Sequence, residues 1–356
     1  MPGISESRSR SVQLSGSRPC QRAYPSRWKL LQKSSLLLAL AFAAAAGMSL
    51  ADVTRARDFG YQQQYDSALA ITSAAIARDS TDPAGYYWHA AIIQLLINDS
   101  GWSGLADSFF ALSDRAVALC RRQLTQDHGD GQAHFYYGMT QLNRASFLGW
   151  QQRSLPALGV MLDVAPHLNA ALARDSSLTD ARFGLGMIEY FKTMSDRYTM
   201  GLRLLGSRKK AYAAVKPLAD GDGLLKPAAE LMLAYMLKED GDYEAALGYC
   251  RRLLAAYPGN RSVRRMTRDI LLTAGQYAAA VRVGAELDSA LPRAFPDGKY
   301  CIAENWIVCG KAYAQMGKKE EARERFNRVV AWEQYQADVP WLPHYVREAK
   351  QWRKKL

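Results

Sequence analysis

The stretch Glu304–Gln336, ENWIVCGKAYAQMGKKEEARERFNRVVAWEQYQ, decides the fold. Trp306, Cys309, Gly310 and Tyr313 fall at the spacing of one face of a helix. Gly317 interrupts that pattern, as glycine does just past a helix end. Ala322, Phe326 and Val329 then resume it on a second helix. Gly310 and Ala322 are the small residues that let two antiparallel helices touch, and the larger ones fill the space between them. The result is a helix–turn–helix unit of about 34 residues. Such a unit cannot bury its own apolar face and must stack on copies of itself.

The same register recurs upstream. Pro227 to Asn260 keeps Leu233 and Ala234 at the paired first-helix positions, Gly241-Asp242-Tyr243 at the turn, and Ala246, Cys250 and Leu253 on the second helix, which Pro258 ends. The next copy runs from Arg261 through Leu271, Gly275, Tyr277, Ala280, Gly284 and Leu287. Thr267 and Arg268 stand there where an apolar and a small residue belong, which predicts a first helix that is loosely packed or shifted by a residue. The spacing to the following copy exceeds about 34 residues, and Pro292, Pro296, Asp297 and Gly298 place the excess in a loop. Earlier copies are weaker. Phe135, Tyr137, Gly138 and Gln141 form one first helix, and Phe183, Leu185, Gly186 and Glu189 another. Ala56, Phe59, Tyr65, Ala68 and Ala75 open the series, and Tyr86–Ile97 with Leu105–Leu124 read as a longer pair. Insertions are expected at Asp99–Gly104 and Ser195–Gly206.

These motifs resemble the tetratricopeptide repeat, closely over Pro227–Gln336 and loosely back to Asp52. The resemblance implies an all-α fold, a right-handed solenoid of stacked antiparallel helical hairpins, six or seven in number. It also implies a concave groove lined by first helices and the binding of proteins or peptides rather than catalysis. Carried over by register, the groove residues are Phe135, Met139, Phe183, Met187, Tyr190, Leu231, Tyr235, Lys238, Ile307 and Lys311, with Arg265 and Asp269 adding charge at the rim. An aromatic and methionine surface suits an apolar peptide or a partner helix. Aromatic stripes at helical spacing also serve as core, and both readings stand for the upstream residues. The chain divides into a leader over 1–51, divergent hairpins over 52–226, clear repeats over 227–336 and a capping helix with a basic tail over 337–356.

The leader has its own composition. Arg8, Arg10, Arg18, Arg22, Arg27, Lys29 and Lys33 face a single acid, Glu6, so this segment carries half of the chain's net charge of +12. An apolar, alanine-rich run, Leu36–Ala46, follows, and then Ser49-Leu50-Ala51. Basic, apolar, small-residue order is that of a secretory signal peptide, with the cut expected between Ala51 and Asp52. The length of the basic part fits a translation start after Met1. An uncleaved anchor and an organelle transit peptide are the alternatives, the anchor being short of the ~20 apolar residues of a span. Export to a periplasm is the resulting expectation, with membrane association only through this segment. No cysteine follows the run at a lipid-attachment position. The rest of the chain is mildly basic, and Lys350, Arg353, Lys354 and Lys355 are read as a solvated terminal helix in preference to a lipid or nucleic-acid contact.

Little in the sequence points to catalysis. Cys120, Cys250, Cys301 and Cys309 read as free core thiols, with no zinc spacing. His89, His128, His134, His167 and His344 do not cluster in a metal-binding pattern. Gly184-Leu185-Gly186 reads as close helix packing and Gly221-Asp222-Gly223 as a turn, neither continuing into a phosphate loop. No Gly-x-Ser-x-Gly context occurs. The sequence thus predicts a scaffold for a protein or peptide partner, without cofactor, metal or nucleic acid. The competing reading is a carrier that holds an apolar small molecule or lipid in a closed helical groove.

Overall fold

Gly241, Gly275 and Gly317 occupy the same place in three successive hairpins, and all adopt a left-handed backbone with φ of 85°, 75° and 74°. That conformation is open to glycine at little steric cost and ends each first helix so that the chain can reverse. The computed structural model describes residues 47–194, 204–336, 339 and 341–356. Over these residues every regular element is helical. The hairpins are α1 (Leu50–Tyr61) with α2 (Tyr65–Arg78), α3 (Pro83–Ser100) with α4 (Ala106–Gln126), and α5 (Gly131–Trp150) with α6 (Ser154–Leu162) and α7 (Val164–Arg174). Then come α8 (Ala181–Thr193) with α9 (Arg208–Asp220), α10 (Lys226–Asp240) with α11 (Tyr243–Ala256), α12 (Arg261–Thr273) with α13 (Tyr277–Ala294), and α14 (Lys299–Gln315) with α15 (Lys319–Val330). α16 (Leu342–Arg353) packs against the last pair. The fold is an all-α solenoid of stacked helical hairpins.

Small residues set the contacts within and between hairpins. A Cβ on Gly310 would meet the Phe326 ring at 2.7 Å, and one on Gly284 would meet Cys309 Sγ at 2.1 Å. Gly184 and Gly138 both receive Leu168, and Gly186 receives Val215, so the Gly184-Leu185-Gly186 spot is close helix packing. Ala322, Phe326 and Val329 are fully buried. All four described cysteines are buried and free. Burial pushes the Cys301 thiol up to about 12, which keeps it protonated.

Three sequence expectations change. The excess expected as a loop near Pro292 is mostly helix, because α13 continues through Pro292 to Ala294 and leaves only Phe295–Gly298 as the turn. Asp99 and Ser100 are the buried last turn of α3, closed by Gly101 at φ 68°, rather than the start of an insertion. The loosely packed segment expected around Arg268 is instead a regular helix with Arg268 fully buried. The other expected insertion, Ser195–Gly206, lies outside the described residues as far as 203. An extra element does occur in the third hairpin: α7 packs against α5, and the short helix α6 sits between them in sequence.

Gly310→Ala is expected to destabilise the protein by about 1–3 kcal/mol, since the Phe326 ring has no room for the added methyl. Gly259, where an added Cβ would meet nothing within 4 Å, is the control, and its alanine variant should denature at an unchanged urea midpoint.

Candidate binding site

The first helices do not line an open trough. The two ends of the hairpin series meet, and two sets of hydrogen bonds join them. At one, Tyr257 Oη donates to Asp58 Oδ1 at 2.9 Å, Asn260 Nδ2 donates to the Tyr61 carbonyl at 2.7 Å, and the Arg261 N–H donates to Gln63 Oε1 at 3.0 Å. At the other, α3 docks on α12 and α14. The fully buried Asp99 carboxylate accepts from Tyr65 Oη at 3.0 Å and from both Nε and a terminal nitrogen of Arg261, the former at 3.2 Å. Arg265 donates to the Asn98 carbonyl at 2.9 Å, and the Cys301 thiol to the Asp99 carbonyl at 2.9 Å.

Behind this seam lies a buried ionic network. Arg268 donates to Asn305 Oδ1 at 2.7 Å and to Asp269 Oδ1 at 2.7 and 2.9 Å, and its second terminal nitrogen approaches Glu304 Oε2 at 3.4 Å. Arg265 Nε donates to the same Glu304 oxygen at 2.6 Å. Asn305 passes the network on, donating to the Gly284 carbonyl and to Asp288. Burial alone would raise the Glu304 carboxyl, but Arg265 and Arg268 together hold it below its ordinary value. A carboxyl depressed in the fold adds stability above its unfolded value, near 4.5, and loses it as pH falls through the folded value.

The sequence-derived groove residues are placed in several ways here. Phe135, Met139, Phe183, Tyr190 and Ile307 are buried, and Met187, Leu231 and Tyr235 are partly buried against the same cores. Lys238 pairs with Glu239 at 3.1 Å and lies over the Tyr235 ring, and Lys311 pairs with Glu348 of α16. Arg265 and Asp269 are brought together through Glu304 and Arg268 in the seam network.

Among the described residues a concavity lies at the amino-terminal ends of α1, α3, α5, α8 and α10. It holds about 560 Å³ and is open on one side. Its walls mix aromatic side chains, Trp88, Phe135 and Tyr136, with carboxylates and amides, Asp82, Asp130, Asp180, Gln123 and Gln132. The three aspartates each stand just before a first helix, but they are used differently. Asp82 caps α3 through the Ala84 N–H at 2.9 Å and takes the Met48 N–H at 2.7 Å. Asp130 caps α5 through the Ala133 N–H at 2.9 Å. Asp180 makes no cap to α8, and its Oδ1 is buried without a hydrogen-bond partner. Burial raises the Asp180 carboxyl, with Arg57 and the Leu225 backbone pulling the other way. The Trp88 indole is 7% exposed, and its Nε1 also lacks a partner at hydrogen-bonding geometry, although the Tyr136 hydroxyl is near enough to interact. A buried donor and a buried acceptor on one cavity wall are costly unless something pairs with them.

Among the residues that the sequence reading carries into the groove, only Phe135 lines this cavity. That reading misses Trp88 and Asp180, though the recurrence of aspartate at 82, 130 and 180, each ahead of a first helix, is a readable signal. Among the described residues no group of three or more His, Cys, Asp or Glu is placed to hold a metal ion.

The hairpin geometry makes this an all-α solenoid of stacked helical hairpins. Among solved structures it is similar to YrrB, a TPR protein described with an unusual peptide-binding site, at 18% identity over 67% of this chain and 98% of that one, with a TM-score of 0.41. A tetratricopeptide repeat protein from Parabacteroides merdae is similar at 14% identity over 84% and 98% of the two chains, with a TM-score of 0.41. The TPR domain of P58(IPK) is similar at 13% identity over 85% and 99%, with a TM-score of 0.29. No protein-family model matches the sequence, and no curated protein does.

Arg268→Ala is expected to cost about 3–5 kcal/mol, because it leaves the buried Asn305 oxygen without its donor and removes one of the two arginines at Glu304. Glu304→Gln should flatten the loss of stability below pH 4.5 relative to wild type, read as the urea midpoint against pH.

Proposed function

We propose that the protein is a non-catalytic scaffold that takes a peptide segment of a partner protein into the cavity at the first-helix ends. The observation that carries this reading is the mixed aromatic and polar wall of the cavity, on which Trp88 Nε1 and Asp180 Oδ1 lie covered and without a well-formed hydrogen bond. A small rotation of either side chain would present it to a peptide backbone, which offers a carbonyl for the indole N–H and an N–H for the carboxylate oxygen. Phe135 and Tyr136 supply apolar surface for a side chain beside them. The open side and the acidic and amide-bearing lining fit an extended peptide better than the lipid or apolar cargo of a carrier, which calls for a closed and mostly apolar chamber.

Export is the second part of the proposal, supported by the basic, apolar, small-residue order of the leader. A cut between Ala51 and Asp52 would remove Ser49, which caps α1 by accepting the Asp52 N–H, and Met48, which is bonded to Asp82. A cut ahead of Gly47, after the small residues Ala44 and Ala46, would spare both contacts. The envelope is then the compartment in which the partner would be met. Mass spectrometry of the exported chain tests this part: a start at Gly47 is expected, and an intact leader on cytoplasmic protein contradicts export.

Peptides selected from a displayed library against the purified chain test the binding reading. Trp88→Phe keeps the ring and removes the donor, and Asp180→Asn removes the charge. Each should weaken the selected peptides by roughly tenfold, the worth of one hydrogen bond with a charged or buried partner. Affinities unchanged in both variants would remove the cavity as the peptide site. An apolar molecule co-purifying with the wild type and lost from Trp88→Phe would favour the carrier.

A further inference from the structure

The helix α6 is apolar and leaves one face exposed. Its sequence is SLPALGVML, and Ala157 is its one buried residue. Leu155 is 67% and Leu162 70% exposed, and both Pro156 and Gly159 are exposed between them. A Cβ on Gly159 would meet nothing within 4 Å. Two leucines left in water at the two ends of one helix face are unusual in a protein that buries its other helices so well. The segment Ser154–Arg174 has 21 residues and is long and apolar enough by composition to cross a membrane. The fold rules out a crossing in this state. α7 buries Val164, Leu168 and Ala171 in the stack, and α6 alone has 9 residues, about 13 Å at 1.5 Å per residue, against a hydrocarbon core of about 30 Å.

A second feature adjoins the start of α6. The turn Gln151–Arg153 and the start of α16 form a hollow of about 610 Å³, lined by Trp150, Arg153, Trp341, His344 and Arg347 together with Gln151, Gln152 and Pro343. No carboxylate lines it. Glu348, one turn along α16, is engaged by Lys311 and lies 3.8 Å from His344 Nε2. Gln152 and Trp341 both hold left-handed backbone, with φ of 60° and 66°, a conformation that bulky non-glycine residues rarely adopt. Arg347, Lys350 and Lys354 continue the basic character along one side of α16, Lys350 being paired with Glu333.

The geometry points to a membrane-docking face: α6 lies in the interface of an anionic bilayer, and the adjoining tryptophan and arginine hollow meets the lipid phosphates. Charge selects a bilayer over a protein groove. Leu155, Gly159 and Leu162 lie one turn apart on a single exposed apolar face of α6, while Leu158, Val160 and Met161 are half-buried, so the helix can rest on a surface along that face. Tryptophans beside arginines at the end of a short apolar helix are the side chains that settle at headgroup level. A hollow with cations and no carboxylate in its lining attracts an anionic leaflet. This contact is separate from the leader and from the peptide cavity, so the folded body would be held at the membrane with or without the apolar run Leu36–Ala46.

Flotation of the full chain with vesicles of phosphatidylcholine, with and without phosphatidylglycerol, tests the assignment. Three chains are compared: wild type, Leu155→Glu/Leu162→Glu and Arg153→Glu/Arg347→Glu, each with the leader unchanged. The wild type is expected to partition more strongly to the anionic vesicles. The leucine pair should lose about tenfold or more on both vesicle types, and the arginine pair about tenfold or more on the anionic ones alone. Circular dichroism should be unaltered, because the substituted side chains are exposed. Leu155→Ser/Leu162→Ser, which adds no charge, gives the same loss should the glutamates disturb folding. Equal flotation of all the chains would assign binding to the leader and overturn the proposal. Failure of the wild type to float, or a concentration-dependent dimer that the leucine variants abolish, would overturn it in favour of a protein surface.

Discussion

The buried ion network around Arg268 and Glu304, with the Asp99–Arg261 pair in front of it, is the constraint on which the rest of the structure depends. A hairpin solenoid needs only contacts between neighbours, and its curvature is otherwise free to vary. Here residues separated by more than 160 positions are bonded to one another. Charges removed from water are costly, and one partner without the other costs more still. The pairing of Asp99, which is fully buried, with Arg261 therefore fixes where α3 sits against α12 and α14. The terminal hairpins are held together, and the first-helix faces close on one another.

That closure decides what can serve as a binding surface. Aromatic and methionine side chains that would line the trough of an open superhelix, such as Phe183, Met139 and Tyr190, are packed as core. What stays accessible is the cavity at the amino-terminal ends of the first helices, where the chain has placed three aspartates and used only two of them as caps. The spare Asp180 oxygen and the Trp88 indole nitrogen stand out because most buried polar atoms in the described fold are paired. The outer surface of the third hairpin carries the other departure from economy, the exposed helix α6.

The repeat is legible where its pattern depends on neighbours in the chain. Gly310, Gly317, Ala322 and Phe326 can be read from sequence because the spacing of small and large residues within one hairpin dictates how its two helices touch. Arg268 reads as a defect for the same reason: by local pattern a small residue belongs there. Its role comes from Asn305, Glu304 and Asp269, two of them on another helix, and no local rule carries that information. Asp99 looks like the start of an insertion because Asp-Ser-Gly is turn chemistry, yet Arg261 and Tyr65 offset the burial of its charge at the end of a helix. Pro292 looks like a loop residue and sits in the last turn of α13. Phe135 stands out in the sequence and does reach the cavity, whereas Trp88 is hidden beside the more regular Tyr87. Long-range closure is thus the part of the fold, and of the candidate site, that one-dimensional periodicity does not encode.

Closure of the solenoid can be measured directly. Asn98 is exposed beside Asp99, and Asp297 is exposed in the turn just before Tyr300, whose ring lies against Gly101. Nitroxide labels at these two positions report the distance across the seam by double electron–electron resonance. A closed seam gives one short, narrow distance distribution, broadened and lengthened when Arg261→Ala is added. A long or broad distribution in the otherwise native chain would contradict it, since the first-helix face would then be an open trough.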